Sequence, residues 1–304
     1  MFRINGMIFS AVTYSVNEKK VDCLLRYIQK SDGSRELRDK RYKKVSFDES
    51  FDYLSKRLPE AINPKCRKQS VEKSKIDEIY YPYKGLKSGV GSKISGKLCD
   101  MGINKDKIGI TGSRLIGLQK STSDVDMVIY GAEDFNQARS ILANMKKDES
   151  SGIYALSEED WKKIYYKRGA EISFESFVRH EKRKHNRAKL ENNLFIDLLF
   201  VRGWDEIDNT VDSIDTKEKN GRIKLKTRVV DSKYCFDCPA IYEVDSDIID
   251  RVLSYTHTYA GQAQNGETIE VVGKIEVGAT VDLIIGSSRK AEGEYIVSLD
   301  LLEE

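Results

Sequence analysis

Asp124 and Asp126 stand one valine apart in Ser123-Asp124-Val125-Asp126, and the apolar run Met127-Val128-Ile129-Tyr130 that follows marks a strand. Side chains two apart in an extended strand fall on one face, so the two carboxylates point the same way. Held together they repel, and a divalent cation between them makes the arrangement tolerable. The residues just upstream supply what a metal-bound phosphate chain also needs. Ile108-Gly109-Ile110-Thr111 reads as a short strand, Gly112-Ser113 as a turn of small residues, and Arg114 to Leu118 as the opening of a helix. A strand, a small turn and a helix N-terminus aim backbone N–H groups and the positive end of a helix dipole at one point, where phosphate binds. Gly112, Ser113, Arg114 and Ser123 are therefore the nucleotide-binding candidates of this segment.

A third carboxylate lies downstream in Leu194-Phe195-Ile196-Asp197-Leu198-Leu199-Phe200-Val201, an almost continuous apolar run that reads as a buried central strand. An acid inside such a run is costly unless it pairs, coordinates or reaches a cleft. Asp197 is the best third metal ligand, with an ion pair to a neighbour such as Arg202 as the competing explanation. An isolated Ser-Asp-x-Asp is common where a helix is capped or a loop turns. Here the motif enters an apolar strand and follows Gly-Ser at a short interval, and that combination favours chemistry.

Gly112-Ser113, then Asp124 and Asp126 on one strand, then Asp197 on a later strand resembles the nucleotidyltransferase superfamily of DNA polymerase beta. More narrowly, the chain looks like the archaeal members that carry extra domains on both sides of a small transferase core. The resemblance implies an Mg2+-dependent reaction, with Mn2+ as a substitute, in which two ions roughly 3.5 to 4 Å apart clamp an in-line displacement. It implies that Asp124 and Asp126 ligate both ions, that Asp197 binds the ion beside the attacking hydroxyl, and that Ser113 and the Gly112 backbone hold the terminal phosphates of an NTP such as ATP.

These residues need a scaffold, and 304 residues exceed a typical single domain. The expected fold class is α+β: a polymerase-beta-like core of mixed sheet and flanking helices, between a small N-terminal antiparallel sheet and a C-terminal small β barrel or sandwich. The expected divisions are an N-terminal domain over 1–85, the core over 86–215 and a β-rich domain over 216–304. Alternation through Ile8 to Val12 and Val21 to Ile28, with a turn at Asn17 to Lys20, marks the first sheet. Phe47, Phe51 and Leu54 have helical spacing, and prolines 59, 64 and 82 lie in the loops that follow. A helix is expected between Lys87 and Met101. Phe135, Ala138, Ile141, Leu142 and Met145 recur at helical intervals, and Ser157 caps a helix with an acidic first turn.

Arg179 to Lys189 is the densest basic run. If helical throughout, it presents Arg183 and Arg187, four residues apart, on one face. Lys182, Arg183 and Arg187 are then candidates to clamp the triphosphate or an acceptor's phosphates, although charge runs commonly form solvated helix faces. His180 and His185 are read as structural. Arg222, Lys224, Lys226 and Arg228 alternate with apolar residues, as in a half-exposed strand with a basic outer face. Tyr255 and Tyr259 interleave with small residues and offer stacking surfaces to unpaired bases, with core packing as the alternative. Together these six are the nucleic-acid-binding candidates.

The remaining sequence narrows the class. A charged fraction of 33% leaves a net charge of only +2, so overall basicity does not demand nucleic acid and local clusters must carry that argument. Neither the first residues nor any later stretch has the apolar length of a signal peptide or membrane span. Five scattered cysteines suit a reducing, cytoplasmic setting. Cys235-Phe236-Asp237-Cys238 lacks the second ligand pair of a zinc site and reads as two ordinary thiols. The expected function is transfer of a nucleoside monophosphate from an NTP to an acceptor hydroxyl, leaning to an RNA acceptor. The alternatives are the same chemistry on a protein or small-molecule hydroxyl, or a regulator that binds nucleotide or nucleic acid without turnover.

Overall fold

The computed structural model describes residues 1–14, 19–63, 68–87, 89–207, 217–286 and 292–303. The expected turn residues Asn17 and Glu18, together with Pro64 and Cys66, fall outside these, as does the expected boundary at 215/216. Along the chain the strands and helices run β1 (Phe2–Ile4), β2 (Met7–Ala11), β3 (Lys20–Gln29), β4 (Arg35–Leu37), β5 (Lys40–Lys44), α1 (Phe47–Arg57), β6 (Ile62–Asn63), β7 (Lys68–Glu72), β8 (Glu78–Ile79) and α2 (Val90–Asp100). The middle of the chain holds β9 (Ile108–Ile110), α3 (Gly112–Leu115), β10 (Val125–Tyr130), α4 (Ala132–Met145), β11 (Ile153–Tyr154), α5 (Glu158–Arg168), α6 (Phe174–Lys184), β12 (Arg187–Leu190) and β13 (Phe195–Val201). The last part holds β14 (Lys217–Asp231), β15 (Ala240–Asp245), β16 (Arg251–Ser254), β17 (Thr268–Val277), β18 (Val281–Ile285), β19 (Tyr295–Ser298) and α7 (Leu299–Glu303).

Three sheets result. The N-terminal one runs β4-β5-β3-β2-β1-β8, with β7 bridging β3 and β6. The mixed central sheet has the order β11-β12-β13-β10-β9, which places the strand of Asp197 beside the strand of Asp126. In the third, β14 pairs with both β15 and β17, so the order β14-β15-β16-β18-β17 closes on itself as a small barrel. The earlier choice between barrel and sandwich is thereby resolved. β17 is long enough to take β19 along its first half and β18 along its second.

Contacts divide the chain into two compact units. The first contains Met1–Ile129, Asn192–Leu198 and Ile207, and the second contains Tyr130–Glu191, Leu199–Glu206 and the barrel with α7. The N-terminal sheet and the paired carboxylates thus share one unit. One face of that sheet buries Phe2, Phe9, Leu25 and Ile28 with Leu54 of α1. Ser46 and Glu49 form a reciprocal capping box that starts α1 where the periodicity predicts. The other face contributes Ile8, Tyr27 and Tyr42, which pack with Ile116 and Leu118 immediately after α3.

In the second unit, α4 buries Phe135, Ala138, Ile141, Leu142 and Met145, the five positions expected from spacing. Ser157 and Asp160 cap α5 reciprocally. Helix α6 docks on the barrel end: Arg179 Nη1 donates to Leu302 O at 2.9 Å, and Ser298 N donates to His180 Nε2 at 3.0 Å. Among the described residues no helix is long and apolar enough to cross a membrane.

Candidate active site

The site forms because β9 and β10 are antiparallel, Ile110 opposite Met127 and Gly109 opposite Val128, with the Gly-Ser turn at their open end. Thr111 N donates to Asp126 O at 2.8 Å, extending this pairing to the turn itself. Gly112 then adopts φ +67, and a Cβ placed on it would lie 2.3 Å from Asp126 Oδ2. Glycine is required here twice over, for the left-handed backbone and for the close approach of a carboxylate.

Arg114 and Ser123, expected to touch nucleotide, build the scaffold. Arg114 Nε donates to Asp124 O at 3.0 Å and its Nη2 to Ser123 O at 2.5 Å, lashing the turn to the segment entering β10. Ser123 Oγ accepts from Lys120 N at 2.9 Å and Ser123 N donates to Lys120 O at 3.0 Å, a closed polar turn. The helix after the turn is also shorter than the sequence suggests. It has four residues, so little of a macrodipole accumulates.

Asp124, Asp126 and Asp197 are all half-buried. Burial, the charge of Asp197 and then that of Asp124 push the Asp126 carboxyl up to about 6, against the opposing charges of Lys44 and Arg26. The charges of Asp197 and Asp124 thus bear on Asp126. Among the described residues no three or more His, Cys, Asp and Glu side chains stand together as a group that could hold a metal ion. A common electrostatic field, rather than a closed set of ligands, is what the fold provides. Along β13 the residues Ile196, Leu198 and Phe200 are buried while Asp197 falls on the alternate, half-buried face. Arg202, the competing partner for Asp197, is engaged by Asp237 at 2.6 Å.

Two residues near the carboxylates escaped the sequence reading. Arg26 and Lys44 come from β3 and β5 of the N-terminal sheet, and both charges bear on Asp126. Tyr27 lies between them in chain order and packs with Ile116 and Leu118, just after the turn. Burial raises the Tyr27 phenol above its ordinary value, opposed by the charges of Arg35 and Arg26. No local motif announces such a role, because it depends on which face of a remote sheet meets the turn.

The second unit corrects several expectations. The basic run is not one helix: α6 ends at Lys184, His185 is left-handed, and Arg187 opens β12, so Arg183 and Arg187 share no helix face. Arg183 is held by both carboxylate oxygens of Glu267 and by Gln262 O. Lys184 is buried, donating to Glu181 Oε1 at 2.5 Å and Thr258 O at 2.9 Å. Lys182 remains exposed on α6. Tyr259 is wholly buried and its hydroxyl accepts from Glu171 N at 3.0 Å, so it is a core residue and offers no base a stacking face. Tyr255 is 39% exposed. Arg222, Lys224, Lys226 and Arg228 do form the exposed face of β14, yet Lys224 meets Glu270 at 2.8 Å and Arg222 meets Glu294 at 3.4 Å. Arg228 Nε donates to Gly266 O at 3.0 Å. The four described cysteines carry no disulfide, and burial pushes the Cys235 thiol up to about 11.

Comparison with known proteins agrees with this geometry. A family described as a nucleotidyltransferase domain matches residues 92–194, which contain Gly112, Ser113, Asp124 and Asp126 and end three residues before Asp197. The chain is 31% identical to "Uncharacterized protein MJ1086" of Methanocaldococcus jannaschii, covering 96% of this chain and 95% of that one. No solved structure gives a significant match. The chain thus belongs, with that archaeal relative, to a family built around a nucleotidyltransferase domain of the polymerase beta superfamily.

Proposed function

We propose that this protein transfers a nucleoside monophosphate from an NTP to an acceptor hydroxyl, releasing pyrophosphate, in a reaction that depends on Mg2+ or Mn2+. The observation that supports the reading is the Asp126 carboxylate packed against the Gly112 turn, with the charges of Asp197 and Asp124 bearing on it. Three hard oxygen donors fit a divalent cation and do not fit a thiolate-loving metal. Two such ions, held by these three acids, would supply charge neutralisation for the phosphates and activation of the hydroxyl. In this scheme Asp197 accepts the proton of the attacking hydroxyl. The Gly112 backbone approaches the terminal phosphates, and Arg114 fixes the distance between turn and carboxylates.

Incubation with each α-labelled NTP, ATP first, with Mg2+ and total cellular RNA or protein tests the reading beside the double variant Asp124→Ala with Asp126→Ala. Label transfer is expected in the wild type and not in the variant. Transfer that survives the double substitution would sink the mechanism, and binding of NTP without transfer to any acceptor would place the chain among non-catalytic binders.

For the acceptor the proposal is RNA, supported by the exposed cations of β14, where the Lys224 and Lys226 side chains are 59% and 63% exposed. Salt-sensitive binding of single-stranded RNA is expected. Label appearing on protein or on a small molecule, with no RNA binding, would replace that acceptor. A cytoplasmic location belongs to the same proposal.

A further inference from the structure

The pairing of β2 with β3 is irregular at one place. Ile8 lies opposite Tyr27, but the next residue, Phe9, lies opposite Leu25, so Arg26 is the extra residue of a β-bulge. Bulges bend a strand locally and re-aim a side chain, and they recur beside active sites. This one is anchored, since Arg26 O accepts from Val45 N at 3.0 Å. Around it the strand serves both faces of the sheet: Leu25 and Ile28 enter the core against α1, whereas Tyr27 packs with Ile116 and Leu118 beyond the Gly-Ser turn.

The surroundings of the bulge are cationic and mostly fixed. Arg35 Nη1 donates to Leu118 O at 2.5 Å, with its guanidinium 5.6 Å from the centre of the Tyr27 ring. Lys44 is the register partner of Tyr27 across β3 and β5, and is exposed. Arg26 is half-buried, and its guanidinium makes no hydrogen bond or ion pair among the described residues. Five fixed-geometry donors without an acceptor among the described residues, on a guanidinium whose charge bears on Asp126, want an anionic ligand. A polyphosphate entering a site of three acids needs cations on its far side, and Arg forks match phosphate oxygens in pairs.

We propose that Arg26, aimed by the bulge in β3 and seconded by Lys44, binds the polyphosphate of the incoming nucleotide. This deepens the proposed function and rests on it. Both residues lie outside the segment matched to the nucleotidyltransferase domain, at 92–194, so the N-terminal sheet becomes part of the nucleotide site. Packing of Tyr27 against Ile116 and Leu118 ties that sheet to the segment just after the turn that serves the same phosphates.

Equilibrium binding in Mg2+ with three probes, ATP, inorganic tripolyphosphate and AMP, tests this on the full chain. Arg26→Gln is expected to weaken ATP and tripolyphosphate about tenfold or more, the loss of a charge-assisted bidentate contact, and AMP less than about twofold. Arg26→Lys should retain part of the affinity, and Lys44→Gln should cost about two- to threefold. Because the Arg26 guanidinium makes no hydrogen bond among the described residues, melting temperatures of the variants should match the wild type and exclude misfolding. Unchanged tripolyphosphate binding in Arg26→Gln, or equal losses for ATP and AMP, overturns the assignment while leaving the transferase reading intact. A wild type that binds neither ATP nor tripolyphosphate removes both.

Discussion

Gly112 is the side-chain-free position on which the carboxylate site closes, and its replacement separates packing from chemistry. Gly112→Ala asks a left-handed residue to carry a Cβ 2.3 Å from Asp126 Oδ2. The backbone penalty alone is about 1 kcal/mol, a small fall in melting temperature, whereas displacement of Asp126 should lower the transfer rate about 100-fold. A variant with wild-type rate and lowered stability would show that Asp126 has room to move without consequence for the reaction. Gly112, Asp124 and Asp126 were legible because their meaning is local: one turn, one strand, a period of two. Arg26 was not. Its place depends on a pairing irregularity between β2 and β3 and on the sheet face that meets Ile116, neither of which leaves a mark in neighbouring residues. Arg114 and Ser123 were found at the right place with a different task, since a guanidinium that bonds two carbonyl oxygens positions backbone.

Helix α6 and strand β14 show how elements absorb charge that the sequence displays. In α6 the buried Lys184 is matched to Glu181, which Arg168 also reaches at 3.1 Å. Glu181→Gln leaves a buried ammonium without its counter-charge and should cost about 3 kcal/mol or more, while Glu181→Leu with Lys184→Met should cost much less. Urea unfolding of the two variants measures this, and equal losses would mean that the pair acts through shape alone. Strand β14 carries Lys226 directly opposite Glu270, which also pairs with Lys224. Glu270→Gln should release both cations and strengthen single-stranded RNA binding several-fold, most at low salt, as a filter-binding titration would show. Weakened or unchanged binding would remove this face from the acceptor site. Alternation disclosed the basic face of β14, but a carboxylate more than forty residues away decides its net charge. Likewise the basic run suggested a helix but not its end, because the stop is the left-handed His185, after which Arg187 opens β12.

Over the whole chain, the two units should answer acid in opposite directions. Asp126 is raised by burial and by its fellow carboxylates to about 6, so in a chelator the first unit holds more protons than the unfolded chain does. That contribution is full below pH 4 and is lost as pH rises through 6. His180 is lowered by burial to about 4, its Nδ1 donating to Ser176 O and its Nε2 accepting from Ser298 N, with Lys184 and Arg183 nearby. Its contribution is present above pH 6.5 and is lost as pH falls through 4. Each is worth roughly 3 kcal/mol at most. Asp126→Asn should stabilise the metal-free protein at pH 7.5, and His180→Gln should flatten its acid limb. A pH series of melting curves in which neither slope changes would contradict both. The three sheets match the parts read from pattern, while the strand of Asp197 returns to the N-terminal unit after an excursion of more than sixty residues. That return has a consequence for synthesis. Domains fold as they emerge, N-terminal first. Every described residue of the first unit has been made by Ile207. The second unit must wait for Ser298 and Leu302, the partners of His180 and Arg179 in α6. All three carboxylates, with the Gly-Ser turn, are therefore made before the barrel exists, so their part of the chain can assemble while the rest is still being synthesised.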